Sequence, residues 1–176
     1  MKNTAMQARL DTEILDFVAS RKTLQLASID ENGLPFSSYA PFAIGDDCIY
    51  VLLSEIAVHG INLMVNPRAS ALVIEDEDTA EILFARKRVN YQMCVENIEY
   101  QADGWDLGIQ TLVNRHGEIS ANLSQKEDFK LFRLIPERGR YVKGFGKAYS
   151  FSGDSLTGDV LDHMRDGHVD RKTSAA

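Results

Sequence analysis

Cysteine is scarce in this sequence, with Cys48 and Cys94 the two present. They lie far apart in apolar, strand-like runs and form no Cys-x-x-Cys pair, so a disulfide framework and a thiolate zinc site both lack support. They read as buried thiols in a reducing compartment. Long apolar runs are missing as well: no stretch approaches the length needed to span a bilayer, and the opening MKNTAMQARLDTEILDF lacks the continuous apolar segment of a signal peptide. The expected location is the cytoplasm. Positive charge is outnumbered, 19 basic residues against 26 acidic for a net charge of -7, which argues against a general binder of nucleic acid or of anionic membranes. No strand-like run leads into a Gly-rich phosphate loop, which argues against a Rossmann or P-loop site. Repeats, low-complexity tracts and internal linkers are also lacking.

What is present fits one soluble domain. The chain of 176 residues is 44% hydrophobic and 26% charged, enough to bury a sizeable core. Met6, Leu10, Ile14, Phe17 and Val18 recur at helical spacing and place an opening helix against a sheet. Alternation from Thr23 to Ile29 predicts a strand that turns at Asp30, Glu31, Asn32 and Gly33. Strands follow over Pro35 to Ile44 and Cys48 to Leu53, then a helix over Glu55 to Val65 that Pro67 ends. Further expectations are a strand over Arg68 to Glu75, a short acidic helix over Glu77 to Phe84, a strand over Arg86 to Val95, and a helix from Trp105 that stops near Gly117. Two more strands, Phe129 to Ile135 and Arg140 to Phe151, are expected around a turn at Pro136 to Gly139. Short strands in hairpin order with interspersed helices predict an α+β domain built on an antiparallel sheet or barrel. The division expected is a domain over residues 1–153 that includes the N-terminal helix, followed by a mobile tail over 154–176. That tail is too poor in large apolar residues to hold itself down.

Few residues offer chemistry by spacing alone. His59 reads as a half-buried packing residue, and His116 as a helix C-terminal imidazole. His163 and His168 stand five apart with Gly167 between, which gives a two-histidine metal site little support. Arg86, Lys87 and Arg88 form a basic run. On a strand, Arg86 and Arg88 would share one face and could hold carboxylates or phosphate, or could instead keep a sheet edge soluble. Asp128 reads as a polar residue before a strand.

Longer motifs add more. Arg21 to Ser28 (RKTLQLAS), Ser38 to Phe42 (SYAPF) and His59 to Ser70 (HGINLMVNPRAS) resemble the pyridoxamine 5'-phosphate oxidase superfamily with its FMN-binding split barrel. Leu83 to Arg88 (LFARKR), Phe132 to Leu134 (FRL), Val142 to Tyr149 (VKGFGKAY) and Asp166 to His168 (DGH) resemble the HutZ/HugZ haem-utilisation branch of it. The resemblance runs from about Arg21 to Lys172. It implies a dimeric, antiparallel split β-barrel with flanking helices that binds haem between subunits and opens the porphyrin ring oxidatively.

On that resemblance His168, in the C-terminal tail, is the ligand of the haem iron, with His163 as the alternative. Asp128 accepts a hydrogen bond from the other ring nitrogen of the ligand, from its own subunit or its partner. Arg88 belongs to the haem pocket, and Arg86 joins it in contacting the cofactor. Haem would be both cofactor and substrate, with O2 and an external electron donor or reductase as co-reactants and iron as a product. A haem carrier without turnover and an FMN-dependent oxidoreductase are the alternatives. Against FMN, the segment Ser37 to Phe42 lacks the two cations of the Arg-x-Val-Leu-Leu-Lys strand of pyridoxamine 5'-phosphate oxidase proper.

Overall fold

The structure, a computed structural model, describes residues 4–164. His168, and with it the proposed DGH motif, lies outside the described residues. Helix α1 (Thr4–Ser20) packs Leu10, Ile14, Phe17 and Val18 into the core. Strand β1 (Thr23–Ile29) turns at Asp30, whose carboxylate accepts the backbone N–H groups of Asn32 and Leu34 at 2.9 and 2.8 Å. Strand β2 (Pro35–Pro41) returns, and β3 (Ala43–Ile44) and β4 (Ile49–Ser54) form the next hairpin. Helix α2 (Val58–Val65) and β5 (Arg68–Ile74) flank the Asn66-Pro67 step. Then come β6 (Arg88–Ile98), α3 (Trp105–His116), α4 (Glu118–Ser124), β7 (Phe129–Val142), β8 (Ala148–Ser152) and β9 (Val160–Met164). Among the described residues, no helix is long and apolar enough to cross a membrane.

Every strand pair is antiparallel, in the order β2-β1-β5-β6-β7-β4-β3, with β8 and β9 continuing from the second half of β7. The extreme strands of that path, β2 and β3, are separated in sequence by Phe42 alone. The sheet must therefore curl until its edges meet, and this makes it a split barrel. The inward residues of its strands join α1 in one large core. A second, smaller core lies on the opposite face, where Trp105 and Leu112 of α3 cover Ala43, Cys48, Tyr50 and Leu131. Among the described residues the second core reaches β6 only at Ile98, and the outer faces of β1, β2, β5 and the second half of β7 contribute nothing to it.

The end of α3 holds the closing corner. Phe42 is fully buried. Its carbonyl accepts His116 Nε2–H at 2.8 Å, and the Arg115 guanidinium lies 5.2 Å from its ring while donating to the carbonyls of Ala19 and Arg21. Gly117, at φ +79°, then ends α3 with its N–H on the Val113 carbonyl.

Several expectations are corrected. Residues 77–84 form turns and a single 3-10 turn (Leu83–Ala85) rather than an acidic helix, because the ends of this loop are tied together through Glu75, which binds Arg86 and Lys87. The strand expected from Arg86 starts at Arg88. Residues 136–139 are not a turn: β7 runs unbroken, with Pro136 opposite Met93, Arg138 opposite Gln92, and Glu137 bulged between them. A Cβ at Gly139 would meet the Phe151 ring and lie 2.9 Å from the Asn90 carbonyl oxygen, so this glycine admits the close approach of β8. Helix α4 was not expected. The segment after Gly153, expected to separate as a tail, is joined to the barrel as far as Met164: Leu156 is buried, its carbonyl accepts Tyr91 Oη–H at 2.9 Å, and β9 pairs with β8. Cys48 is buried as expected, but Cys94 is partly exposed.

Helix α1 is fastened through Glu13, which accepts Tyr141 Oη–H at 2.6 Å and Lys143 Nζ–H at 2.7 Å, with Lys87 Nζ 3.7 Å away. Burial alone would raise the Glu13 carboxyl. Hydrogen bonds from Lys143 and Tyr141 and the charges of Lys143 and Lys87 outweigh it, and the pKa falls below 4.5. A depressed carboxylate stabilises the fold above its unfolded pKa and loses that contribution as pH falls through the folded value. Glu13→Gln is expected to lower stability at pH 7 by about 1–2 kcal/mol. Urea melts from pH 7 to pH 3 should show the gap to the parent chain closing at the acid end; a gap constant with pH would refute the assignment.

Candidate functional site

Asp128 immediately precedes β7 in a tight turn from α4, in which Lys126 N–H and Phe129 N–H donate to the carbonyls of Leu123 and Lys126. The end of β4 fixes it in place. Ser54 Oγ–H donates to Asp128 Oδ2 at 2.7 Å, and Glu55 N–H donates to the Asp128 carbonyl at 2.7 Å. Ser54 Oγ in turn accepts Ile56 N–H at 3.1 Å. The carboxylate is half-buried and held by one oxygen, and Oδ1 has no partner among the described residues. Its neighbours Glu127 and Phe129 line a cavity of about 370 Å³ with Tyr100, Trp105 and Lys126. Asp128 is thus an oriented acceptor beside an opening with aromatic walls.

The basic run divides its labour. Arg86 turns back onto the Glu75 carbonyl through Nε at 2.9 Å and through Nη2. Lys87 points toward α1, with Nζ 5.0 Å from the Phe17 ring centroid. Arg88 opens β6 and donates from Nη1 to the Arg86 carbonyl at 2.8 Å. Arg86 and Arg88 are therefore not paired on one strand face. Beside them Leu83 and Phe84 protrude, and Phe84 is 91% exposed, an apolar surface next to the Arg88 end of the sheet.

Arg88 and Asp128 do not meet within one chain. Arg88 stands opposite Val142, whereas at the other end of β6 Ile98 stands opposite Leu131, close to Asp128. Eleven residues of β6 separate these ends, roughly 33 Å along the strand. The row through Arg88 continues across Val142 and Ala148 to Met164. The last described residue therefore lies at the Arg88 end.

The remaining histidines have structural partners. His163 Nε2–H donates to the Gly146 carbonyl at 3.0 Å, and its ring lies 5.0 Å from that of Tyr149, on the inward side of the sheet. His59 Nδ1 lies 3.0 Å from Ser38 Oγ, which donates its own proton to the Leu26 carbonyl, so Nδ1 carries the hydrogen. Burial lowers the His59 pKa, as expected of a packing imidazole. Among the described residues no group of three potential ligands could hold a metal ion.

Sequence reasoning missed Ser54, 74 residues from Asp128, for which no local signal exists. It also missed Arg138, read as part of a turn, and Arg140, read only as the start of the next strand. The alternating Arg-Gly-Arg around Gly139 is the signal that could have placed them on one strand face.

A curled antiparallel barrel capped by helices, with an oriented carboxylate at one end and an arginine at the other, defines a split-barrel protein of the α+β class. Residues 10–143 match the pyridoxamine 5'-phosphate oxidase family, and the chain belongs to it. It is 47% identical over 168 residues, 96% of this chain and 94% of the other, to a Vibrio cholerae protein named Heme oxygenase HutZ. Two solved structures agree. A crystal structure of HutZ from Vibrio cholerae, described as the heme storage protein, has a TM-score of 0.73 at 44% identity and covers 77% of this chain and 96% of that one. Campylobacter jejuni ChuZ has a TM-score of 0.81 at 28% identity, covering 93% and 67%.

Ser54→Ala removes the hydroxyl that both orients Asp128 and accepts Ile56 N–H. It is expected to cost about 1 kcal/mol in urea unfolding and to leave the Asp128 side chain in more than one rotamer in a crystal structure. A single unchanged rotamer would show that the turn alone orients the carboxylate.

Proposed function

We propose that this chain binds haem between two copies of itself and opens the porphyrin ring with O2 and electrons from an external donor, releasing iron. The observation that carries this reading is the likeness, over nearly the full length, to a protein named Heme oxygenase HutZ. His168 supplies an imidazole to the iron, and Asp128 takes a hydrogen bond from the other ring nitrogen. Arg88 lines the pocket, and Arg86, whose guanidinium is bound to the Glu75 carbonyl, supports it by accepting Arg88 Nη1–H at its own carbonyl. When bound, haem supplies both the iron at which O2 reacts and the ring that is cleaved. The protein's own work is to hold one imidazole in a fixed tautomer, to present apolar surface such as Leu83 and Phe84, and to leave the opposite side of the iron accessible.

Chain geometry supports a site shared between subunits. His168 is four residue steps beyond Met164, a reach of about 14 Å when fully extended, against roughly 33 Å between the Arg88 and Asp128 ends of β6. His168 can therefore serve a pocket at the Arg88 end of its own chain and receive Asp128 from the partner subunit. The exposed apolar side chains of β2 and α2, among them Tyr39, Ile61 and Val65, provide surface for such a homodimer. His163 is the poorer ligand, since its Nε2 is committed to the Gly146 carbonyl.

A second reading, haem storage without turnover, is favoured by the description of the HutZ crystal structure as that of a storage protein. FMN fits less well, since Ser37 and the buried Phe42 stand where the two cations would. Adding a reductant and air to the haem complex distinguishes the first two: bleaching of the Soret band with chelatable iron is expected, and an unchanged spectrum leaves storage. A yellow protein that releases flavin on denaturation would favour the third.

His168→Ala is expected to abolish the histidine-ligated haem spectrum and His163→Ala to leave it intact; the reverse pattern would make His163 the ligand. Mixing His168→Ala chains with Asp128→Asn chains should regenerate one complete site per heterodimer. Bleaching should exceed the mean of the two variants measured alone, by up to about a quarter of the parent rate if subunits mix at random, since half the dimers then carry one of two complete sites. No recovery would place Asp128 and His168 of one chain in the same site.

A further inference from the structure

The second half of β7 carries two guanidinium groups that the fold does not use. Inside the barrel this segment contributes Gly139 and Tyr141; Arg138 and Arg140 alternate with them and are exposed. They face outward because of the bulge at Glu137. Leu134 points inward, and uninterrupted alternation from it would send residues 138 and 140 inward too.

Other arginines nearby have partners. Arg68 pairs with Glu137 at 2.6 Å, Arg133 with Glu96 at 3.3 Å and Arg21 with Asp76 at 2.8 Å. Among the described residues no carboxylate pairs with Arg138 or Arg140, in a chain whose net charge is -7. Across the strands Arg138 stands between Gln92 and Ser152, and Arg140 between Asn90 and Ser150, with the adjacent Glu137 taken by Arg68 and Asp162 one strand further along the Arg140 row. Residues two apart on a strand face are about 6.7 Å apart. Arg88, two residues before Asn90 on β6, is the diagonal neighbour of Arg140 at about 7–8 Å. Three arginines thus spring from neighbouring positions of one sheet face, at the Arg88 end, where Met164 also lies.

We propose that Arg138 and Arg140 bind the two propionate carboxylates of haem, leaving Arg88 to face the ring. This rests on the haem-binding reading above. Planar guanidinium forks suit carboxylates, and two of them, each backed by a side-chain amide and a hydroxyl, match an acid pair carried on short arms along one edge of a porphyrin. The remaining edges of the ring are apolar and need no such donors.

The test compares haemin with haemin dimethyl ester, which keeps the iron and lacks both charges, by Soret titration of the full-length protein. The parent chain should bind haemin about 10- to 100-fold more tightly than the ester. Arg138→Ala/Arg140→Ala should reduce that preference to about twofold, with ester affinity and the histidine-ligated spectrum unchanged, and Arg138→Lys/Arg140→Lys should retain part of it. Both positions are exposed, and an unchanged thermal melt will confirm that the variants fold. Absence of any Soret shift in the parent chain would sink the haem reading itself. Equal affinity of the parent for both porphyrins, or a preference that survives in the double Ala variant, would overturn the propionate assignment alone. So would dissociation of the double variant into monomers in sedimentation, which would give the two arginines to the subunit contact.

Discussion

Phe42 is the point on which the barrel depends. It is the single residue between the two strands at opposite ends of the sheet, so the curl of all the other strands is anchored at that corner. The ring is buried and the backbone is bound on both sides, with the N–H on the Lys22 carbonyl and the carbonyl on His116. Arg115 draws in the carbonyls that end α1 and precede β1. One helix terminus therefore ties α1 and both sheet edges into one joint, and the two cores meet across it.

The parts of the fold visible in the sequence are those governed by local rules. Periodicity placed α1 and β1, the Asp-Glu-Asn-Gly turn was an Asx turn as its residues demand, and Pro67 ended α2. Gly117 likewise ended α3. Local rules failed where a partner strand decides. Pro136 and Gly139 ordinarily mark a turn, yet long pairing with β6 and β8 carried the strand through both, because the bulge absorbs one residue and Gly139 has no Cβ to obstruct Phe151. Glu77 to Phe84 read as a short acidic helix, but cross-links through Glu75 hold the segment as a loop.

The site was legible to a different degree. Arg88 was named within a long motif and Asp128 through the family resemblance, since spacing alone singles out neither. That they stand at opposite ends of β6 and β7 is a matter of strand register, which a sequence shows only once pairing is known. No single barrel brings the two side chains together, because the strand that joins their neighbourhoods is eleven residues long. Ser54 shows the same limit at shorter range: the residue that aims Asp128 belongs to a strand that meets β7 only after the sheet has formed.

The bulge at Glu137 makes β7 two half-strands spliced out of phase. Up to Pro136 the strand obeys one in-out rhythm, and from Arg138 it obeys the opposite one. What the splice requires is a residue, whatever its side chain. Many substitutions at 137 would keep the rhythm change, whereas deleting the position would turn Tyr141 toward solvent and two arginines toward the core. For this segment, chain length counted in residues is a stricter specification than the identity of the residue counted.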